Sequence, residues 1–194
     1  MILLTFDDCR IAEWAAAIPL FKQIRLRATF YVSNQETITA AGWAQLHELE
    51  DAGHSIQFHG FRHVYVTRVA TRPEDWEGYI KNEIVLGMGA MYAHGFNPVH
   101  FAYPYGHYSE ESHRRLLPFF TSLRTLNAQN PMPYERIWGA FDYDTGRFDR
   151  LAKENAGPGA ITPIVMHKVD PVRIADLAKR GDAFVTVEDV KWPR

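Results

Sequence analysis

The sequence predicts an α/β protein, arranged as a barrel of about seven or eight strand–helix units in preference to an open sheet. Three observations predict it. Short apolar runs rich in aromatic and β-branched residues alternate with stretches of helical periodicity along the chain. Hydrophobic residues make up 46% of 194 residues, enough to bury a sizeable core. Polar or conformationally special residues gather just past the C-terminal ends of the predicted strands, the face on which a βα barrel builds its site.

Residues 2–6 (ILLTF) form the first strand candidate. A helical stretch runs from Ile11 to Ile24, with Pro19 expected to bend it. ATFYV at 28–32 is the second strand. Thr39 then caps a helix carrying Trp43, Leu46 and Leu49, and Gly53 suits its stop. HSIQF at 54–58 is the third strand, followed by a longer loop to Arg72. Pro73 is expected to open a helix whose Trp76, Ile80, Ile84, Met88 and Met91 recur at helical spacing, and Gly95 to end it. VHFAY at 99–103 is the fourth strand, and Ser109-Glu110-Glu111 starts a short helix. Strands at 120–126, 136–141, 161–166 and 183–187 complete the reading, with helices near 146–155 and 171–180.

Composition sets limits on function. The formal net charge of -2 supplies no electrostatic reason for a nucleic acid or an anionic membrane as partner. No run of about eighteen apolar residues predicts a transmembrane helix. The single cysteine, Cys9, precludes an intramolecular disulfide. No signal peptide is visible, and the chain reads as one cytoplasmic catalytic domain over 1–194.

The reactive residues follow the strands. Asp7 and Asp8 come after the first, His59 and His63 after the third, and Tyr103 to Gly106 after the fourth. Asp142 follows 136–141, and His167 follows 161–166. His59 and His63, four residues apart, can reach one metal ion, although surface and core histidines share that spacing. Two adjacent carboxylates at the end of a buried strand are costly unless something neutralises one, and a metal would do so. A helix N-cap role would account for one of the two. Tyr103-Pro104-Tyr105-Gly106 is a rigid aromatic turn, or simply a turn punctuated by Pro and Gly. Trp138, Tyr103 and Tyr143 can offer aromatic faces to a ligand or serve as core.

Together these motifs resemble the polysaccharide deacetylase family, also called the NodB-homology or carbohydrate esterase family 4 group. Thr5-Phe6-Asp7-Asp8 matches its first motif, and Gly53-His54-Ser55-Ile56 leading into His59 and His63 its second. Phe101 to Gly106 matches the third and Ile164-Val165-Met166-His167 the last. The resemblance implies a distorted (β/α) barrel of about seven units. It also implies one divalent metal, zinc by preference, with cobalt, nickel or iron also suited to such ligands. By resemblance, Asp8, His59 and His63 hold the metal, Asp7 is the general base and His167 the general acid. The Tyr105 amide binds the oxyanion, and Asp142, with Tyr143, orients His167. Tyr103, Pro104 and Trp138 are the candidate substrate contacts. The implied reaction removes an N-acetyl or similar acyl group from an amino sugar in a poly-, oligo-, lipid- or nucleotide-linked saccharide.

Three positions depart from the family pattern. Ala102 stands where many members carry an arginine that steadies the base, and Arg136 or Arg62 could supply that charge. Cys9 replaces a usual glycine, and Gly60 a usual serine or threonine. His47, His94, His100, His107 and His113 read as surface residues, although His107 is close enough to the turn to face substrate. The alternatives are a deformylase or cyclic-amide hydrolase of the same fold, or a relative that binds glycans without cutting them.

Overall fold

The first apolar run extends two residues beyond expectation, so that β1 (Ile2–Asp8) includes both aspartates. The computed structural model describes residues 1–126, 136–142 and 161–192. β1 is followed by α1 (Ile11–Ala16) and α2 (Ile18–Gln23), which break at Ala17 with Pro19 in the first turn of the second. β2 (Thr29–Val32), α3 (Ala40–Asp51) and β3 (Ser55–Phe58) come next. Thr39 caps α3 by accepting the Gly42 N–H, as its sequence predicts.

The loop after β3 contains a short helix not foreseen, α4 (Val66–Val69). The next helix starts at Asp75, two residues later than expected, because the Asp75 carboxylate accepts the Thr71 and Arg72 amides and holds the preceding turn. It runs as α5 (Asp75–Tyr79), a π-helical segment over Ile80–Val85, and α6 (Leu86–Ala93). Then come β4 (His100–Ala102), α7 (Glu110–Leu116) with a Ser109 capping box, and β5 (Ser122–Thr125).

The single strand expected at 136–141 is two. β6 (Ile137–Gly139) pairs with β5, whereas β7 (Phe141–Asp142) pairs with β8 (Thr162–Met166). α8 (Pro171–Lys179) and β9 (Phe184–Val185) finish the described chain. The helix expected near 146–155 lies outside the described residues.

Hydrogen bonding orders the strands β6-β5-β4-β3-β2-β1-β8-β7, with β9 beside β1. Only Ala140 separates β6 from β7 in sequence, although they end that order on opposite sides. The fold is thus a distorted (β/α) barrel, the class the sequence predicts. One strand beyond about seven on this path follows from the split at Ala140.

The chain divides into two compact units, each with its own aromatic core. In the first (1–30, 39–56, 141–191), Phe6 stacks on Phe30 at 5.1 Å, and Trp14, Phe21 and the His54 edge complete the cluster. In the second (31–38, 57–140, 192–194), Phe58, Phe101 and Phe120 pack at 5.2 to 5.9 Å. Gly87 of α6 lets the helix rest on Phe58: a Cβ there would fall 2.6 Å from the ring. Among the described residues, no helix is long and apolar enough to cross a membrane.

Candidate active site

The first unit lines up three strand ends. β7, β8 and β1 are parallel neighbours, with Asp142 opposite Val165 and Phe6 opposite Met166. Asp142 therefore closes β7, His167 follows directly on β8, and Asp7 stands one residue beyond Phe6 on β1. Asp7 is buried, Asp8 and His167 half-buried. Asp8 has φ of 87°, a left-handed conformation that costs a non-glycine residue energy and is concentrated at functional sites. Tyr143 lies outside the described residues.

The second unit brings the two histidines together. His59, 1% exposed, follows β3, and its Nδ1 donates to the Ala102 carbonyl at 2.8 Å. That bond fixes the proton on Nδ1 and makes Nε2 the lone-pair-bearing nitrogen of the ring. His63 Nε2 stands 3.1 Å from His59 Nε2. His63 also adopts a positive φ, 56°. Asp8, the third residue of the implied ligand set, belongs to the first unit and ends β1. Two imidazoles facing each other on one loop suit part of the ligand set of a divalent metal.

Tyr105 occupies the 3₁₀ turn Pro104–Gly106 with φ of 60°. Its N–H belongs to the first turn, where a helix offers no internal acceptor. The ring is held between His63, 4.4 Å away, and Tyr65, stacked parallel at 3.6 Å. Arg68 covers the other side of Tyr65 at 4.2 Å. Gly106 is required where it stands: φ is 70°, and a Cβ would meet Leu126 Cγ at 2.5 Å.

The expected substrate contacts are corrected. Tyr103 is fully buried, packed on Phe101, with its hydroxyl hydrogen-bonded to His113 Nδ1 at 3.0 Å. It anchors the strand end and has no face for a sugar. Pro104 is likewise buried, and a Cβ on Gly60 would fall 3.2 Å from its Cγ. Trp138 donates from Nε1 to Ser122, at the start of β5, and stacks on Trp192. Its indole thus serves the N-terminal end of β5.

The candidates for the charge missing at Ala102 are corrected too. Arg62 faces Glu36 and Glu83, and Arg136 precedes β6 at the N-terminal end of the sheet. The residue beside Ala102 in register is Arg124, a fully buried arginine whose guanidinium lies 5.2 Å from the Tyr31 ring. Nothing in a single sequence marks it, since strand register alone puts it there.

His100 and His113 are not surface residues. They are 3% and 2% exposed, and His100 bonds Ser122 Oγ at 2.8 Å. His54 is also buried and accepts the Ala28 N–H. Burial holds all three at about 4, below the usual 6.5, helped at His54 by Arg27 and Lys22. The unfolded chain therefore takes up protons below pH 6.5 that the folded chain refuses until about 4. Stability is whole above that window and falls as the pH drops through it, by up to ~1.4 kcal/mol per pH unit for each histidine. Urea midpoints at about pH 7.5 and about pH 5 check this. A clear drop is expected, and equal midpoints would contradict buried neutral imidazoles.

The sequence profile of the polysaccharide deacetylase family matches residues 1–117. The chain belongs to this family. None of the curated proteins compared matches it significantly. Among solved structures, a T48 deacetylase with substrate is similar over 99% of this chain and 92% of its own, at 23% identity and a TM-score of 0.68. A family 4 carbohydrate esterase from Streptomyces lividans in complex with acetate is 18% identical, covers 95% and 90%, and has a TM-score of 0.66. BA3943, a family 4 pseudoenzyme from Bacillus anthracis, is 18% identical, covers 97% of this chain and 64% of its own, and has a TM-score of 0.68. At these identities the likeness is one of fold.

Proposed function

We propose that this family member is a metal-dependent hydrolase that removes an N-acetyl group from an amino sugar. The observation that carries the reading is the pair of imidazoles brought together after β3, His59 Nε2 and His63 Nε2 standing 3.1 Å apart. Asp8, His59 and His63 would hold the divalent ion, zinc by preference. Bound there, it would polarise the acyl carbonyl and ease deprotonation of a water.

The chain's own groups do the rest. Asp7 takes a proton from the attacking water at its carboxylate. The Tyr105 amide, held by the Pro104 turn and the Tyr65 stack, donates to the oxygen that gains charge, a contribution of about 2.7–4 kcal/mol in comparable sites. His167 gives a proton to the departing nitrogen as the C–N bond breaks, so acetate and a free amine leave. Asp142, on the strand beside that of His167, orients it. Arg124 brings to the level of Ala102 the positive charge that the family pattern calls for.

The fold alone does not separate enzyme from binder, since BA3943 shares it and is described as a pseudoenzyme. The retained base and acid, Asp7 and His167, favour catalysis, because glycan binding needs neither. Incubation with N-acetylglucosamine oligosaccharides tests the reading. Equal amounts of acetate and new amine are expected. Release of neither, from acetylated or formylated oligosaccharides, would overturn it.

A further inference from the structure

The segment that carries both histidines, residues 59–63, turns sharply: Gly60 and His63 both have positive φ. A strained turn needs an external hold. Within it, two successive main-chain donors go to one residue. Glu83 Oε2 accepts the Arg62 N–H at 2.9 Å, and the Glu83 carbonyl accepts the Phe61 N–H at 3.2 Å.

Glu83 is unusual in its own helix. It is 5% exposed, and it sits in the π-helical segment between α5 and α6, where an extra residue per turn re-aims the side chains. Burying a carboxylate is costly unless it is compensated. Burial pushes its pKa up, against the pull of the Arg62 amide and guanidinium. Arg62, Tyr79, Asn82 and Glu83 line part of an open surface groove of about 500 Å³.

We propose that Glu83 is a positioning residue for the metal: by clamping the Phe61 and Arg62 amides it holds His63 at the distance from His59 that a cation needs. The inference rests on the metal reading above and adds a residue that touches neither metal nor substrate. The π segment would then exist to deliver this carboxylate to the loop.

Zinc affinity, measured by competition with a chromophoric chelator, tests it. Glu83→Asp keeps the charge but withdraws the acceptor by one methylene; Glu83→Gln keeps length and an acceptor oxygen. Glu83→Asp is expected to weaken zinc binding by about 10–100-fold, and Glu83→Gln to stay near wild type. Thermal unfolding without zinc verifies that both variants fold. A stabilising role unrelated to the metal would shift that unfolding and leave affinity unchanged. Glu83→Asp binding zinc like the wild type overturns the inference, as does Glu83→Gln losing as much as Glu83→Asp. If the wild type binds zinc but releases no acetate, the functional reading fails while this inference is still decided by the variants. A wild type that binds no zinc overturns both.

Discussion

Asp7→Asn reduces acetate release by about 10²–10⁴-fold, the usual worth of a positioned general base, while the chain still folds and still binds zinc. The substitution is nearly isosteric, so it leaves the packing around this 2%-exposed side chain intact. An amide oxygen cannot take a proton from water near neutral pH, so the loss falls on kcat. Asp8, the neighbouring residue, keeps its carboxylate, and metal content is the control that separates the two roles. Steady-state kinetics on N-acetylglucosamine oligosaccharides give the number. An unchanged kcat would mean that Asp7 is structural and that the base is elsewhere.

His167→Ala also costs about 10²–10⁴-fold on an amide substrate, but for a different reason. An amine anion is a very poor leaving group, so C–N cleavage stalls without a proton donor. An aryl acetate ester needs no such proton, because its phenolate departs unaided. The variant should therefore retain most of its activity on the ester while losing the amide. Equal losses on both substrates would remove the acid role from His167. His167 is half-buried and follows directly on β8, so truncation leaves the buried strand undisturbed.

Much of the site was legible because it lies at strand ends, where position in sequence and position in space coincide. As candidates, Asp7 and Asp8 at β1, His59 after β3 and His167 after β8 each mark the end of an apolar run. The Tyr105 turn was legible from Pro104 and Gly106, whose backbone preferences specify it. Residues whose importance depends on register or on side-chain direction were not. Arg124 looks like any charged residue in a short strand until β5 is laid against β4 and it falls beside Ala102.

Burial was the other source of error. His100 and His113 read as surface residues because they lie outside the motifs; inside the fold they bond Ser122 and Tyr103. The rings of Tyr103 and Trp138 suit a sugar by type alone, yet composition cannot tell a stacking face from a core face. The π segment that carries Glu83 followed a helical apolar period throughout, so the bulge left no trace in the sequence pattern. The break at Ala140 was hidden in the same way, inside a continuous β-leaning run.

Metal content by elemental analysis, on the wild type and on His63→Ala, purified without chelators or a histidine tag, reaches the central claim most directly. The account predicts about one zinc or similar transition metal per chain in the wild type and a large loss in the variant. A wild type that holds no metal, and takes up none from added zinc or cobalt, would contradict it.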